Sequence, residues 1–288
     1  MSASDTRPDE PDLPPLREVI KRHGLNARKS LGQNFLLDRN LTDKIARIAR
    51  VNGLHVIEVG PGPGGLTRAL LANGASHVSA IELDDRALPA LEELERAYPG
   101  RLTPVMADAL EFDYAACIAA CPGKTAIAAN LPYNVATPLL VRWLKLIEAD
   151  PDAIESLTLM FQKEVGHRIT ARPGDPNYGR LAILSQLLCE AQIVLEVPPM
   201  AFTPPPKVTS CVVRLVPRSD HRLSDIPRIE TLEKLTSKAF GQRRKMIRST
   251  LSEYRDLLDD MDIDPTLRAE NLGPDIYYAL ARAIENNT

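Results

Sequence analysis

"VIEVGPGPGGLT", residues 56–67, decides how the rest of the chain is read. A short β-branched run enters a turn in which Gly60, Gly62 and Gly65 keep the spacing G-x-G-x-x-G, and a helical pattern follows. A strand, a glycine turn and a helix in this order open a ligand-binding α/β unit, with the ligand over the carboxyl end of the strand. Glu82 closes the next β-branched run, where an acid can reach ribose hydroxyls. As a structural tight turn alone, the stretch would not call for that acid.

Outward from the turn the alternation continues. "HVIEVG" is followed by "GGLTRALLANG", "HVSAIEL" by "DRALPALEELERAY", and "KTAIAAN" by "TPLLVRWLKLI"; "SLTLMFQ" leads into "KEVGHRIT". Such alternation predicts a parallel sheet covered by helices. "AQIVLEV" and "VTSCVVRLV" read as two late strands, suited to an antiparallel pair. Upstream, Asp38 is placed to cap a helix through Leu41, Ile45 and Ile48. From about Ser219 the strand pattern stops, and "IETLEKLTSKAFGQRRKMIRSTLSEYRDLL" and "PDIYYALARAIEN" read as helices. The expected organisation is a tail over residues 1–15, an α/β domain over 16–218 and a small all-helical domain over 219–288.

Composition narrows the class. With 288 residues, 44% hydrophobic and 25% charged, the chain can bury a substantial core. No apolar run suits a membrane span, and the acidic, proline-rich start lacks the pattern of a signal peptide, so a cytoplasmic protein without membrane association is expected. Four cysteines are too few for a disulfide framework. Cys117 and Cys121 are spaced to share a helix face, but without CxxC or HExxH they read as reduced structural thiols, and no metal is expected. The net charge of −3 is unevenly spread. Arg243, Arg244, Lys245 and Arg248 form one basic run without acids, and Lys21, Arg22, Arg28 and Lys29 another, while acids gather in "LEELERAY". A solvated helix face is the plain reading of the first run; a nucleic-acid contact is the functional one.

The prolines of the turn discriminate between cofactors. A diphosphate is held by backbone N–H groups, and Pro61 and Pro63 each remove one. A dinucleotide-dependent dehydrogenase therefore fits less well than a phosphate-free cofactor such as S-adenosylmethionine, with Glu82 on its ribose and Asp108 near its adenine. Asp108 has an alternative reading as a helix N-cap. "NLPY", residues 130–133, leaves the strand "KTAIAA" at the same end of the sheet. There the Asn130 carboxamide oxygen and the Leu131 carbonyl can accept the N–H bonds of a nucleobase amine and orient its nitrogen. Tyr133 offers a ring for the base to stack on.

Taken together, "KSLGQNFLLD", "VIEVGPGPGGLT", "IELD", "ADAL", "NLPYN", "FQKEVGHRI", "YGRL", "FTPPPKV" and "FGQRRKMIRSTL" resemble, over nearly the whole chain, the bacterial 16S ribosomal RNA adenine dimethyltransferases. The resemblance implies a Rossmann-like, seven-stranded S-adenosylmethionine-dependent domain followed by a helical RNA-docking domain. It adds Asn34 and Leu36 to Gly60, Glu82, Asp108 and Asn130 around the cofactor. It places Phe202 opposite Tyr133 around the target adenine, and Lys207 near the RNA backbone. The implied substrate is a pair of adjacent adenosines near the 3′ end of 16S rRNA in an immature small subunit, with a further role in ribosome assembly and no obligate protein partner. The closest rival on the same chemistry is an antibiotic-resistance methylase acting on large-subunit RNA.

Overall fold

Burial sorts the strands into a sheet. The structure is a computed structural model that describes residues 11–28, 31–218 and 226–287. The expected boundary at Ser219, Lys29 of the second basic cluster and most of the expected tail lie outside the described residues. The strands are β1 (Phe35–Leu36), β2 (His55–Val59), β3 (His77–Glu82), β4 (Leu102–Met106), β5 (Thr125–Ala129), β6 (Ser156–Gln162), β7 (Cys189–Val197), β8 (Phe202–Thr203) and β9 (Ser210–Pro217). Seven of them form one sheet in the order β4-β3-β2-β5-β6-β9-β7, and β1 pairs with β8 in a separate two-stranded ladder. Every residue of β2 and β5 is buried, as in strands covered on both faces, whereas β4 and β7, at the two edges, alternate with exposed positions.

The ladders from β4 to β6 are parallel, and their register aligns the ends that matter. Val59 lies opposite Ile81 and Ala129, so β2, β3 and β5 deliver Gly60, Glu82 and Asn130 to one end of the sheet. At the opposite end His55 lies beside His77 and Thr125.

The helices are α1 (Leu16–Arg22), α2 (Arg39–Ala49), α3 (Gly65–Ala72), α4 (Leu88–Ala97), α5 (Tyr114–Ala119), α6 (Tyr133–Ala149), α7 (Lys163–Thr170), α8 (Arg180–Leu188), α9 (Ile229–Gly241), α10 (Ile247–Thr250), α11 (Arg255–Asp260) and α12 (Pro274–Asn286). Asp38 caps α2 as expected, accepting from the Asn40 N–H. None of the helices among the described residues is long and apolar enough to cross a membrane.

The chain divides into two compact units. The first comprises residues 1–139, 153–163 and 194–214; the second comprises 140–152, 164–193 and 215–288. In the first, Ile45 and Ala46 of α2, Leu70 of α3, Val56 and Val78 of the sheet and Phe202 share one core. In the second, α8, α9 and α12 enclose an aromatic group of Tyr178, Phe240 and Tyr277. The hydroxyls of Tyr178 and Tyr277 donate to the Leu272 and Ala269 carbonyls, so both polar tips are satisfied in the interior.

One expectation is corrected here. The stretch read as a continuous helix through "FGQRRKMIRSTL" breaks at Gly241, and residues 242–246 form a turn. The physical reason is pairing elsewhere. Met246 bridges Arg268, the Ile247 N–H donates to the Leu267 carbonyl, and the Ile247 side chain is fully buried. Glycine, a poor helix former, sits where the helix must stop.

Candidate active site

Between the carboxyl ends of β2, β3 and β5 and the segment 31–36 lies a cavity of about 250 Å³. Its walls come from residues 58–66, 81–83, 107–110, 130–135, Leu139 and Phe202.

The glycine turn alternates fixed and permissive residues. Gly60, Gly62 and Gly64 have φ of 71°, 53° and 85°, values that only glycine adopts cheaply, and prolines separate them. Its N–H groups are all spent within the protein. Gly60 donates to the Ile81 carbonyl at 2.9 Å, Gly64 to the Pro61 carbonyl at 3.0 Å, and Gly62 to Glu82 Oε2 at 2.9 Å. Pro61 and Pro63 have none to give. Residues 60–64 thus hold no backbone donor for a diphosphate, which sharpens the distinction drawn from the two prolines.

Glu82 is 7% exposed and lines the cavity. Besides Gly62 on Oε2, the Leu83 and Asp84 N–H groups both donate to Oε1 at 2.9 Å. Three of a carboxylate's roughly four acceptor positions are occupied, and the remaining one is on Oε2. A two-oxygen grip on a ribose would require sharing one of these donors. Burial raises the Glu82 pKa and the three backbone bonds oppose it. Glu58, 1% exposed at the strand end, is pushed up to about 8 by burial, with Thr67 opposing and the Glu82 charge adding. It is therefore largely protonated near neutrality.

Asp108 accepts the Leu110 N–H on Oδ1 at 2.8 Å and also lines the cavity. It is a turn residue; the N-cap of α5 is Asp113, which accepts from Ala116. The Asp108 carbonyl also accepts from the Glu111 and Phe112 N–H groups, so Asp108 caps a single turn ahead of α5.

Asn130 Nδ2 donates to the Asn34 carbonyl at 3.2 Å, and Asn34 Nδ2 donates to the Gly32 carbonyl at 3.1 Å. One of the two amide N–H bonds is thereby committed, and Oδ1 remains as an acceptor for other partners. The Tyr133 hydroxyl shares a 2.7 Å hydrogen bond with Ser210 Oγ, so its ring is tethered at the start of α6. Leu131 is 3% exposed and Leu36 4%. Phe202 pairs in register with Leu36, lines the same cavity as Tyr133, and is 3% exposed within the core.

Several anchors escaped the reading of the sequence. Gln33 Nε2 donates to Asp84 Oδ2 at 2.8 Å, the Arg28 N–H donates to Gln33 Oε1, and Arg86 Nε donates to Asp84 Oδ1 at 2.8 Å. Together they fasten residues 31–36 over the turn after β3. The Arg86 bond is the largest cause of a lowered Asp84 pKa. "GQN" and "ELDDR" carry these residues, but nothing in either string shows that they meet.

The basic residues are placed unequally. Lys207, Arg244, Lys245 and Arg248 are exposed, the first on the loop before β9 and the others on or beside the turn after α9. Arg243 is already paired: Nε donates to Glu270 Oε2 at 2.9 Å and a terminal nitrogen to the Pro176 carbonyl. In the other cluster Arg22 pairs with Glu93 at 2.7 Å, and His23 is part-buried against the same carboxylate.

Residues 24–285 match the family model for ribosomal RNA adenine dimethylase. The chain is 55% identical over 276 residues to ribosomal RNA small subunit methyltransferase A of Rhizobium etli (strain CIAT 652), covering 94% of this chain and 98% of that one. It is 54% identical over 275 residues to the protein of the same name from Chelativorans sp. (strain BNC1), with the same coverage. Among solved structures it is similar to a dimethyladenosine transferase from Plasmodium falciparum, with TM-score 0.72 and 26% identity over 87% of this chain and 96% of that one. It is also similar to the 23S rRNA methyltransferase ErmE, with TM-score 0.64 and 27% identity over 88% of this chain and 100% of that one.

Proposed function

Because the chain belongs to the ribosomal RNA adenine dimethylase family, we propose that this enzyme dimethylates two adjacent adenosines near the 3′ end of 16S rRNA, using S-adenosylmethionine. The observation that carries the reading is the cavity itself. It joins a glycine turn whose residues 60–64 offer no donor for phosphate, a buried acid and an anchored carboxamide at one end of one sheet.

The donor set suits the cofactor. Glu82 keeps one acceptor position on Oε2 for a ribose hydroxyl, Asp108 keeps Oδ2 for the adenine end, and Asn34, Leu36, Gly60 and Asn130 complete the wall. When bound, S-adenosylmethionine supplies a methyl group made electrophilic by its sulfonium. Asn130 Oδ1 and the Leu131 carbonyl accept the N–H bonds of the target amine, which orients its nitrogen lone pair. Tyr133 and Phe202 hold the extruded base by stacking, a contribution of ~1–3 kcal/mol per base. Burial of Phe202 means that its contact with the base is made from the core side of the cavity. No strong base is needed, since a methylated cationic amine releases its proton readily.

Lys207, Arg244, Lys245, Arg248 and, after exchange of its Glu270 partner, Arg243 meet RNA phosphates. The helical residues beyond 219 serve docking on an immature small subunit in the cytoplasm, and docking supports a role in assembly. Identity of 53–55% to relatives named for the small subunit favours it over the large one. The test is mass spectrometry of ribosomal RNA from cells lacking and then regaining this protein. Paired dimethyladenosines in small-subunit RNA should vanish and return; loss confined to large-subunit RNA would overturn the assignment.

A further inference from the structure

At the end of the sheet opposite the cavity, one imidazole and two thiols from two parts of the sequence converge. His55 opens β2 and is 4% exposed. Cys117 lies in α5, and Cys121 follows just beyond its end. One ligand atom from each of the three lies within 4.8 Å of the others. We propose that His55, Cys117 and Cys121 form a binding site for a thiophilic divalent cation, with zinc as its occupant.

The distances suit that ion. A tetrahedral zinc with bonds of ~2.3 Å to sulfur and ~2.0–2.1 Å to nitrogen sets its sulfur and nitrogen ligands about 3.6 Å apart. Cys121 Sγ lies 3.5 Å from His55 Nε2. The imidazole is also oriented as a ligand's partners would orient it. His55 Nδ1 lies 3.3 Å from Thr125 Oγ1, a partner able to take the Nδ1 proton when Nε2 binds the cation. Nε2 also shares a 2.9 Å hydrogen bond with Ser79 Oγ, a partner that an incoming cation displaces. Two thiolates and an imidazole select zinc over magnesium or calcium, which prefer oxygen. On binding, each thiol gives its proton to solvent and its sulfur forms a bond to the metal, with no change of oxidation state.

The site lies one strand length from the candidate active site, ~16 Å at the usual rise for the five residues of β2. It fastens the segment between α5 and β5 to the sheet and takes no part in methyl transfer.

Zinc titration of the full-length protein under reducing conditions, against a competing chromophoric chelator, tests the proposal. The expected result is one zinc per chain, lost in Cys117→Ser and in Cys121→Ser but kept when Cys189 and Cys211, both fully buried elsewhere, are replaced by alanine. Thr125→Val should weaken binding by ~10–100-fold, the usual effect of removing a residue that orients a ligand. Two measurements need no variant. Cobalt(II) should give a thiolate charge-transfer band with tetrahedral visible bands, and zinc should protect Cys117 and Cys121 from alkylation, read by mass spectrometry. Zinc binding that survives both serine variants, cobalt spectra without the thiolate band, or equal alkylation with and without zinc would each overturn the assignment.

Discussion

The Glu82 carboxylate receives backbone N–H groups from two directions, Gly62 on one oxygen and Leu83 and Asp84 on the other. The acid that lines the cavity therefore also holds the glycine turn in shape. Glu82→Ala leaves three backbone donors without their partner and removes the acceptor for a ribose hydroxyl; ~1–3 kcal/mol for that one unmet group on binding corresponds to roughly 5–150-fold weaker S-adenosylmethionine binding by calorimetry. Glu82→Gln is expected to rescue little, because its NH₂ must face at least one of these donors. Full affinity in the glutamine variant would mean that the turn does not depend on both oxygens. The sequence made the position of Glu82 legible, since it ends a β-branched run after a glycine motif. Its bonds to Leu83 and Asp84 were not legible, because they depend on how the chain turns after β3. For Asn130 the side-chain type and place could be read, while the Asn34 carbonyl that fixes its amide lies 96 residues away.

Two elements behave differently from their sequence patterns. The segment 31–36 carries few turn or helix signals, yet Gln33, Asp84 and Arg86 fasten it over the cavity. A hydrogen bond to a charged group contributes about 1.5–3 kcal/mol. Gln33→Ala should therefore speed amide hydrogen exchange in residues 31–36 and weaken cofactor binding by at least roughly tenfold. Unchanged exchange would show that other contacts hold the segment. The turn after α9 was hidden for the opposite reason: Gln, Arg and Lys all suit a helix, and only the pairing of Met246 and Ile247 with residues 267–268 breaks it. This placement separates the basic residues by function. If Arg244 and Lys245 meet phosphates, replacing both by alanine should flatten the plot of log affinity for small subunits against log salt by about 1.4–1.8, at ~0.7–0.9 per contact. Arg243→Ala should change the slope less, since Glu270 already neutralises it. An unchanged slope in the double variant would place docking elsewhere.

For the whole molecule, the alternation of strands and helices and the helical character of residues 229–241 and 274–286 were legible from periodicity. The burial of Glu58 inside β2 and its energetic consequence come from the structure alone. Its pKa is raised from 4.5 to about 8, so between those values the folded state holds a proton that the unfolded chain releases. Stability contributed by this group is full below about pH 4.5 and falls as pH rises toward about 8. His55, lowered from 6.5 to about 4 by burial and by His77, acts in the other direction, losing stability as pH falls through that interval. The melting temperature of Glu58→Gln minus that of the parent isolates the carboxyl: it should increase steadily from about pH 5 to about pH 8. A difference independent of pH would contradict a protonated Glu58.

We propose that the anchored Asn130 carboxamide orients the adenine amine beside the cofactor wall. The most direct test is single-turnover methylation of small subunits by Asn130→Ala, with S-adenosylmethionine affinity measured on the same preparation. Removing one preorganised contact of this type should slow transfer by ~10²–10³-fold, a loss well beyond any loss of cofactor affinity. A rate within roughly threefold of the parent, with the cofactor saturating, would contradict the claim.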